Sequence, residues 1–224
     1  MIDNDTANHV FTSNGLEFIK LNEFAVRFHL VSLDNNVRDF MEHYNYLHGL
    51  SKLTEAELPD TEEVWDAVIV CAEAIAAIAN ILVPSPKTRK NKLLNKFTKL
   101  RAEALQGLLL ISLGQRNELV NFRNRLHHED EDFDEWFFNQ MSKEKAKPTK
   151  LTRRKVFWGV SPININGEVF ASAYDAKIGF VHFFDHHFSL HELMSIVTLI
   201  NKNFSSAEDQ LSKLSGKATR VATL

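Results

Sequence analysis

The sequence predicts a mainly α-helical protein with a small β segment toward its C-terminal end and a closing helix. Apolar residues recur every three or four positions through most of the first 140 residues, which is the helical period. Between residues 155 and 184 the pattern changes to short runs of β-branched and aromatic residues. Helical periodicity then returns in "SLHELMSIVTLINKNF". The 224 residues are 44% hydrophobic and 25% charged, enough for a soluble core without disulfide or metal support. The single cysteine, Cys71, excludes an intramolecular disulfide and makes the cytoplasm the expected compartment. A net charge of −3 selects no class of partner. "MIDNDTANHV" is polar and acidic, so no secretory signal is expected.

The elements follow in order. Residues 1–15 are expected to form a flexible N-terminus and residues 16–145 a helical core. The first helix is expected from about residue 16, with Phe24, Phe28, Val31, Leu33, Val37, Phe40, Met41 and Tyr44 at spacings of two to four, and Gly49 as its stop. "LPDTEEVW" starts the second: Asp60 or Thr61 can cap it, and Glu62 and Glu63 sit where the helix dipole favours acids. Its apolar run, residues 67–83, is at the lower limit for a membrane span. Glu73 and Asn80 interrupt that run, so a buried core helix is expected and no membrane. Pro84 and Pro86 end it. A third helix is expected over about 88–110, its first part ("KTRKNKLLNKFTKLR") basic without one acid. "SLGQRN" breaks it, and a fourth continues to about residue 141. "SKEKAKPTKLTRRK" reads as a basic linker. Residues 146–204 are expected to form a small β segment plus helix packed on the core. "KVFWGV", "GEVFASAY" and "KIGFVHFF" read as strands, the last two as a hairpin. The closing helix has Ser189 as cap and Glu192 at the capping-box position. Residues 205–224 are expected to be a flexible tail.

The chemistry concentrates in "NFRNRLHHEDEDFDEW", residues 121–136. On a helical wheel Leu119, Phe122, Leu126, Phe133 and Phe137 share one face. Arg123, His127, Asp130 and Asp134 flank it, with Asn124, His128, Glu131 and Glu135 further round. Three uses fit this face. The first, favoured on the wheel alone, is a salt-bridged surface worth a few tenths of a kcal/mol per pair. The second is a metal site on His127, Asp130 and Asp134, which Arg123 disfavours by its charge. The third is an Arg/His pair. Histidine moves protons near neutral pH, and arginine holds a phosphate as charge develops. Such a pair suits RNA cleavage by the 2′-hydroxyl without metal.

The stretch resembles the motif of the HEPN superfamily: Arg, four to six residues, then His, often with a polar residue directly after the Arg. Arg123, Asn124 and His128 match it. The longer pattern "RN…H.DE..D.W", carried by Arg123, Asn124, His128, Asp130, Glu131, Asp134 and Trp136, is similar to a little-characterised bacterial HEPN-like family. His127 and Glu129 depart from that pattern. The resemblance implies an HEPN-like helical bundle and a homodimer through the motif helix. It also implies a metal-independent endoribonuclease or RNA-binding protein of a defence or toxin–antitoxin system. Arg123, Asn124 and His128 would then be the catalytic residues, with His127, Asp130, Glu131 and Asp134 supporting. The partners implied are a second copy, RNA, and a cognate antitoxin or regulatory protein. No cofactor or metal is called for. The other class that fits is a non-catalytic helical dimerisation or regulatory module, in which the same residues tie an interface together. The acidic run 129–135 would repel RNA unless it faces away.

Elsewhere, His182, His186, His187 and His191 lack a carboxylate or thiol constellation to fix them, so packing or surface roles are expected. The eight glycines include no phosphate-binding loop. Cys71, in an apolar helix, is expected to be inert.

Overall fold

The computed structural model describes residues 13–84, 92–127, 150–159, 164–165, 168–183 and 186–219. Among these, six helices and a small mixed sheet give the mainly helical architecture that the periodicity predicts. The helices are α1 (Ser13–Leu21), α2 (Glu23–Leu50), α3 (Thr61–Leu82), α4 (Lys92–Leu109), α5 (Leu113–His127) and α6 (Leu190–Thr219). The strands are β1 (Lys150–Phe157), β2 (Asn164–Ile165), β3 (Glu168–Asp175), β4 (Phe180–Phe183) and β5 (His186–Ser189).

The chain divides into two compact units, neither continuous in sequence. The first takes residues 1–38, 77–120 and 196–224; the second takes residues 39–76 and 121–195. α2, α3, α5 and α6 each contribute to both units.

In the first unit the N-terminal helix is interrupted once. Asn22 donates its side-chain amide to the Phe18 carbonyl (3.2 Å), competing with its own backbone N–H, which reaches the same oxygen at 2.9 Å. Local side-chain bonding of this kind is why Asn favours helix ends. Beyond it, Val26, Leu30, Leu33 and Val37 form the buried face of α2. Phe24, Phe28 and Val31, apolar positions of the same helical pattern, are exposed. α4 packs on α1 through Phe18 and Phe97, whose rings meet edge-to-face at 5.0 Å. It ends at Leu110, which takes a left-handed φ of 57°, and the Ile111 N–H returns to the Gln106 carbonyl at 3.0 Å. That is a Schellman stop with leucine where glycine is usual. α5 then opens with a capping box: Gln115 accepts the Ser112 N–H at 2.9 Å, and Ser112 Oγ accepts the Gln115 N–H at 3.3 Å. α6 does not stop at Ser205 as expected. It continues to Thr219, because Ala207 and Leu211 prolong its buried face.

In the second unit, Asp60 caps α3, as its position predicts: Oδ1 accepts the Glu62 N–H at 3.3 Å. By length and composition α3 could cross a bilayer, but most of its apolar residues, Trp65, Val68 and Ile75 among them, are buried within the protein. Cys71 is fully buried, its thiol pointing at the Phe40 carbonyl (3.8 Å) and pushed up to about 12 by burial.

The sheet runs β1-β3-β4-β5, with the two-residue β2 also paired to β3. The expected hairpin is present: β3 and β4 pair antiparallel from Ser172 opposite Phe183 to Asp175 opposite Phe180. β1 is longer than expected and parallel to β3, from Lys150 opposite Glu168 to Phe157 opposite Asp175. Its first half was expected to be linker because of its charge. β5 pairs antiparallel with β4 and runs directly into α6, where Ser189 Oγ accepts the Glu192 N–H at 3.2 Å.

Candidate functional site

α5 carries the first part of the motif. Leu119 and Phe122 are buried, as the wheel requires, and Phe122 meets Phe188 of β5 edge-to-face at 4.9 Å. Arg123, expected on the flank of this face, is itself buried, with 6% of its surface exposed. Its Nη2 donates to the Asn124 side-chain oxygen at 3.1 Å, and its Nε approaches the same atom at 3.4 Å. Burial pulls its pKa below the ordinary guanidinium value. The structure therefore joins two of the three expected catalytic residues: exposed Asn124 holds the fork of buried Arg123. His127 ends α5. His128, Asp130, Glu131 and Asp134, together with the side chain of His127, lie outside the described residues.

The histidines of the C-terminal segment separate into two settings. His182 on β4 is buried and stands opposite His187 on β5, ring centroids 6.0 Å apart. Its Nε2 meets no hydrogen-bond partner. Desolvation, then His187, lowers its pKa, while Asp175 acts against them. His191 stands instead on α6, with Nδ1 3.0 Å from the Tyr44 hydroxyl, and Tyr44 stacks on His48 at 5.8 Å. Around this pair lies a cleft of about 140 Å³ that also touches Ser51, buried Tyr174 and the turn after β3. Burial raises the pKa of both tyrosines, which keeps their hydroxyls protonated as donors. The spacing of Tyr44 and His191, 147 residues apart, gives no sign in the sequence that they meet. Among the described residues no three His, Cys, Asp or Glu side chains converge as a metal would need.

Asp175 organises the turn beside this cleft. It is 1% exposed, and its Oδ1 accepts the N–H groups of Gly159 and Lys177, each at 2.9 Å, and of Ile178 at 3.4 Å. Gly159 has φ 73°, and a Cβ there would lie 2.8 Å from Lys177 Cδ, so only glycine presents its N–H this way.

No family model, curated protein or solved structure matches this chain.

Proposed function

We propose that the chain is an HEPN-like helical bundle that cleaves or binds RNA without metal or cofactor, in a cytoplasmic defence or toxin–antitoxin type of system, with no membrane role. In this reading Arg123 stabilises the scissile phosphate, Asn124 orients it and His128 transfers the proton. His127, Asp130, Glu131 and Asp134 support them. A second copy, RNA and a cognate antitoxin or regulatory protein are the partners. The observation that carries the reading is the Arg123–Asn124 pair on α5: a guanidinium oriented in advance by its neighbour and partly desolvated. Such an arrangement strengthens its pull on developing negative charge.

The same burial favours a second reading. A guanidinium with 6% of its surface exposed must move before a phosphate can reach it. As a fixed polar tie it would serve a non-catalytic dimerisation or regulatory module.

Cleavage of mixed RNA by purified protein in EDTA separates the two. Wild type should cut. Arg123→Ala and His128→Ala should both abolish cutting, because each removes a member of one catalytic unit, and His127→Ala should weaken it less. Circular dichroism controls for folding. A wild type inert on all RNA hands the case to the interaction module. A dead His127→Ala beside an active His128→Ala removes His128 from its role.

A further inference from the structure

Three elements of the second unit bring hydrogen-bond donors to one small cleft. α2 supplies Tyr44 and His48, one helical turn apart with their rings stacked. Buried Tyr174 of β3 lines it too, close enough to Tyr44 that a charge on one hydroxyl would be felt at the other. Lys177, in the turn after β3, and His191, in the first turn of α6, complete the polar lining. The cleft holds about 140 Å³. That is well below the roughly 300 Å³ at which pockets for drug-sized ligands begin, so it suits a small occupant.

The chemistry of the lining selects the sign of that occupant. Among the described residues that line the cleft none is a carboxylate, while two tyrosines, two histidines and Lys177 carry polar hydrogens. The Tyr44–His191 bond, at 3.0 Å, always leaves one proton over. If the hydroxyl donates to Nδ1, the neutral ring carries its own proton on Nε2; if Nδ1 donates, the hydroxyl proton is available. Burial raises the pKa of both tyrosines, so neither becomes an anion near neutral pH. Exposed Lys177 adds a positive charge. His191 stands at the start of a 30-residue helix, where the backbone dipole favours a negative charge. Asp175, in the strand beside the cleft, has its Oδ1 held by the N–H groups of Gly159, Lys177 and Ile178, which offsets its repulsion. A cation would meet no carboxylate in the lining, and an apolar ligand would strand the donors.

We propose that this cleft binds a small oxyanion of the phosphate class, held by the Tyr44–His191 pair, His48, Tyr174 and Lys177. Two sources present that chemistry: free phosphate, and the terminal phosphate of a nucleotide whose remainder lies outside the cleft. The proposal goes beyond the RNA reading and does not rest on it, because none of these residues belongs to the motif helix α5.

Histidine ring-proton NMR of the full chain at neutral pH and constant ionic strength tests it. Inorganic phosphate should shift His48 and His191 saturably, with a Kd of about 1 mM or tighter. His43, on α2 but outside the cleft, should stay in place. Sulfate should compete. Tyr44→Phe keeps the stacked ring and removes the hydroxyl; it and His191→Gln should each weaken binding about tenfold, and Lys177→Gln about threefold. Circular dichroism should show all three folded. Uridine 5′-monophosphate binding more tightly than phosphate would make a nucleotide end the source, and equal or weaker binding the free ion. The proposal is overturned by the absence of a saturable shift up to about 20 mM phosphate, or by a shift confined to His127 and His128. Undiminished binding by Tyr44→Phe or His191→Gln would sink it as well, as would uridine binding as tightly as its monophosphate.

Discussion

The two units of this protein place their unusual residues in opposite ways. In the first unit, the exceptions are on the outside: Leu21, Phe24, Phe28, Val31, Leu93, Leu94, Phe97, Leu110 and Leu113 are exposed, against Ile178 alone among the described residues of the second. In the second unit, they are on the inside: Arg123, Ser172, Asp175, His182 and Ser189 are the buried polar residues, and the described part of the first has none. Exposed apolar surface serves association, and buried polar groups serve fixed geometry or chemistry. Among the described residues, then, the exposed apolar side chains and the buried polar ones fall almost entirely in different units.

The largest test of this contrast is Asp175→Ala. It strands three N–H groups in the second unit and should cost about 3 kcal/mol. Asp175→Asn, keeping the acceptor oxygen, should cost much less. Urea midpoints at unchanged slope measure both. An Asp175→Ala within about 0.5 kcal/mol of wild type would mean that the second unit's buried polar groups are not what fixes it.

An intermediate effect is expected from the first unit's half-buried polar contact. Arg101 Nη1 donates to His29 Nε2 at 3.0 Å, and burial followed by the Arg101 charge lowers the His29 pKa to about 4. Unfolded histidine takes up its proton near 6.5, before the folded ring can. The contribution from neutral His29 is therefore complete above pH 6.5 and is lost as pH falls toward 4. The partly exposed ring is screened, so the expected loss is about 1 kcal/mol. His29→Gln should flatten the slope of stability in that window, measured by denaturant titration from pH 7 to 4. An unchanged slope would assign the acid sensitivity elsewhere, His182 being the other described histidine with a lowered pKa.

The smallest effect has the opposite sign. Leu110 holds φ 57° at the end of α4 and is 44% exposed. Leu110→Gly relieves a left-handed leucine and should stabilise by about 0.5–1 kcal/mol, raising the melting temperature by a few degrees. A loss of stability there would mean that Leu110 packs in a way its exposure hides.

How much could be read in advance followed the range of the interactions. Helix starts depend on neighbouring residues, and Asp60 and Ser189 cap where their spacing says. The same kind of signal was present in "SLGQ" at α5. Strand identity depends on partners far along the chain. The charges of "KLTRRK" suggested linker because nothing local reveals that β3 lies alongside. β5 has only four residues, two of them histidine, and becomes a strand by pairing with β4. Periodicity located the apolar residues of α2 but not which side faces inward, because both sides are apolar. At the motif, the wheel placed Phe122 correctly and set Arg123 on the flank; 3.6 residues per turn cannot say how far neighbouring elements close over a flank.

The interleaving of the two units has a consequence for how the chain is made. Each unit needs part of α6, the last element described. During synthesis the helices from α1 to α5 emerge while both units still lack a wall, and chains on the ribosome fold as their segments become complete. Each unit therefore becomes complete only once its share of α6 has been synthesised.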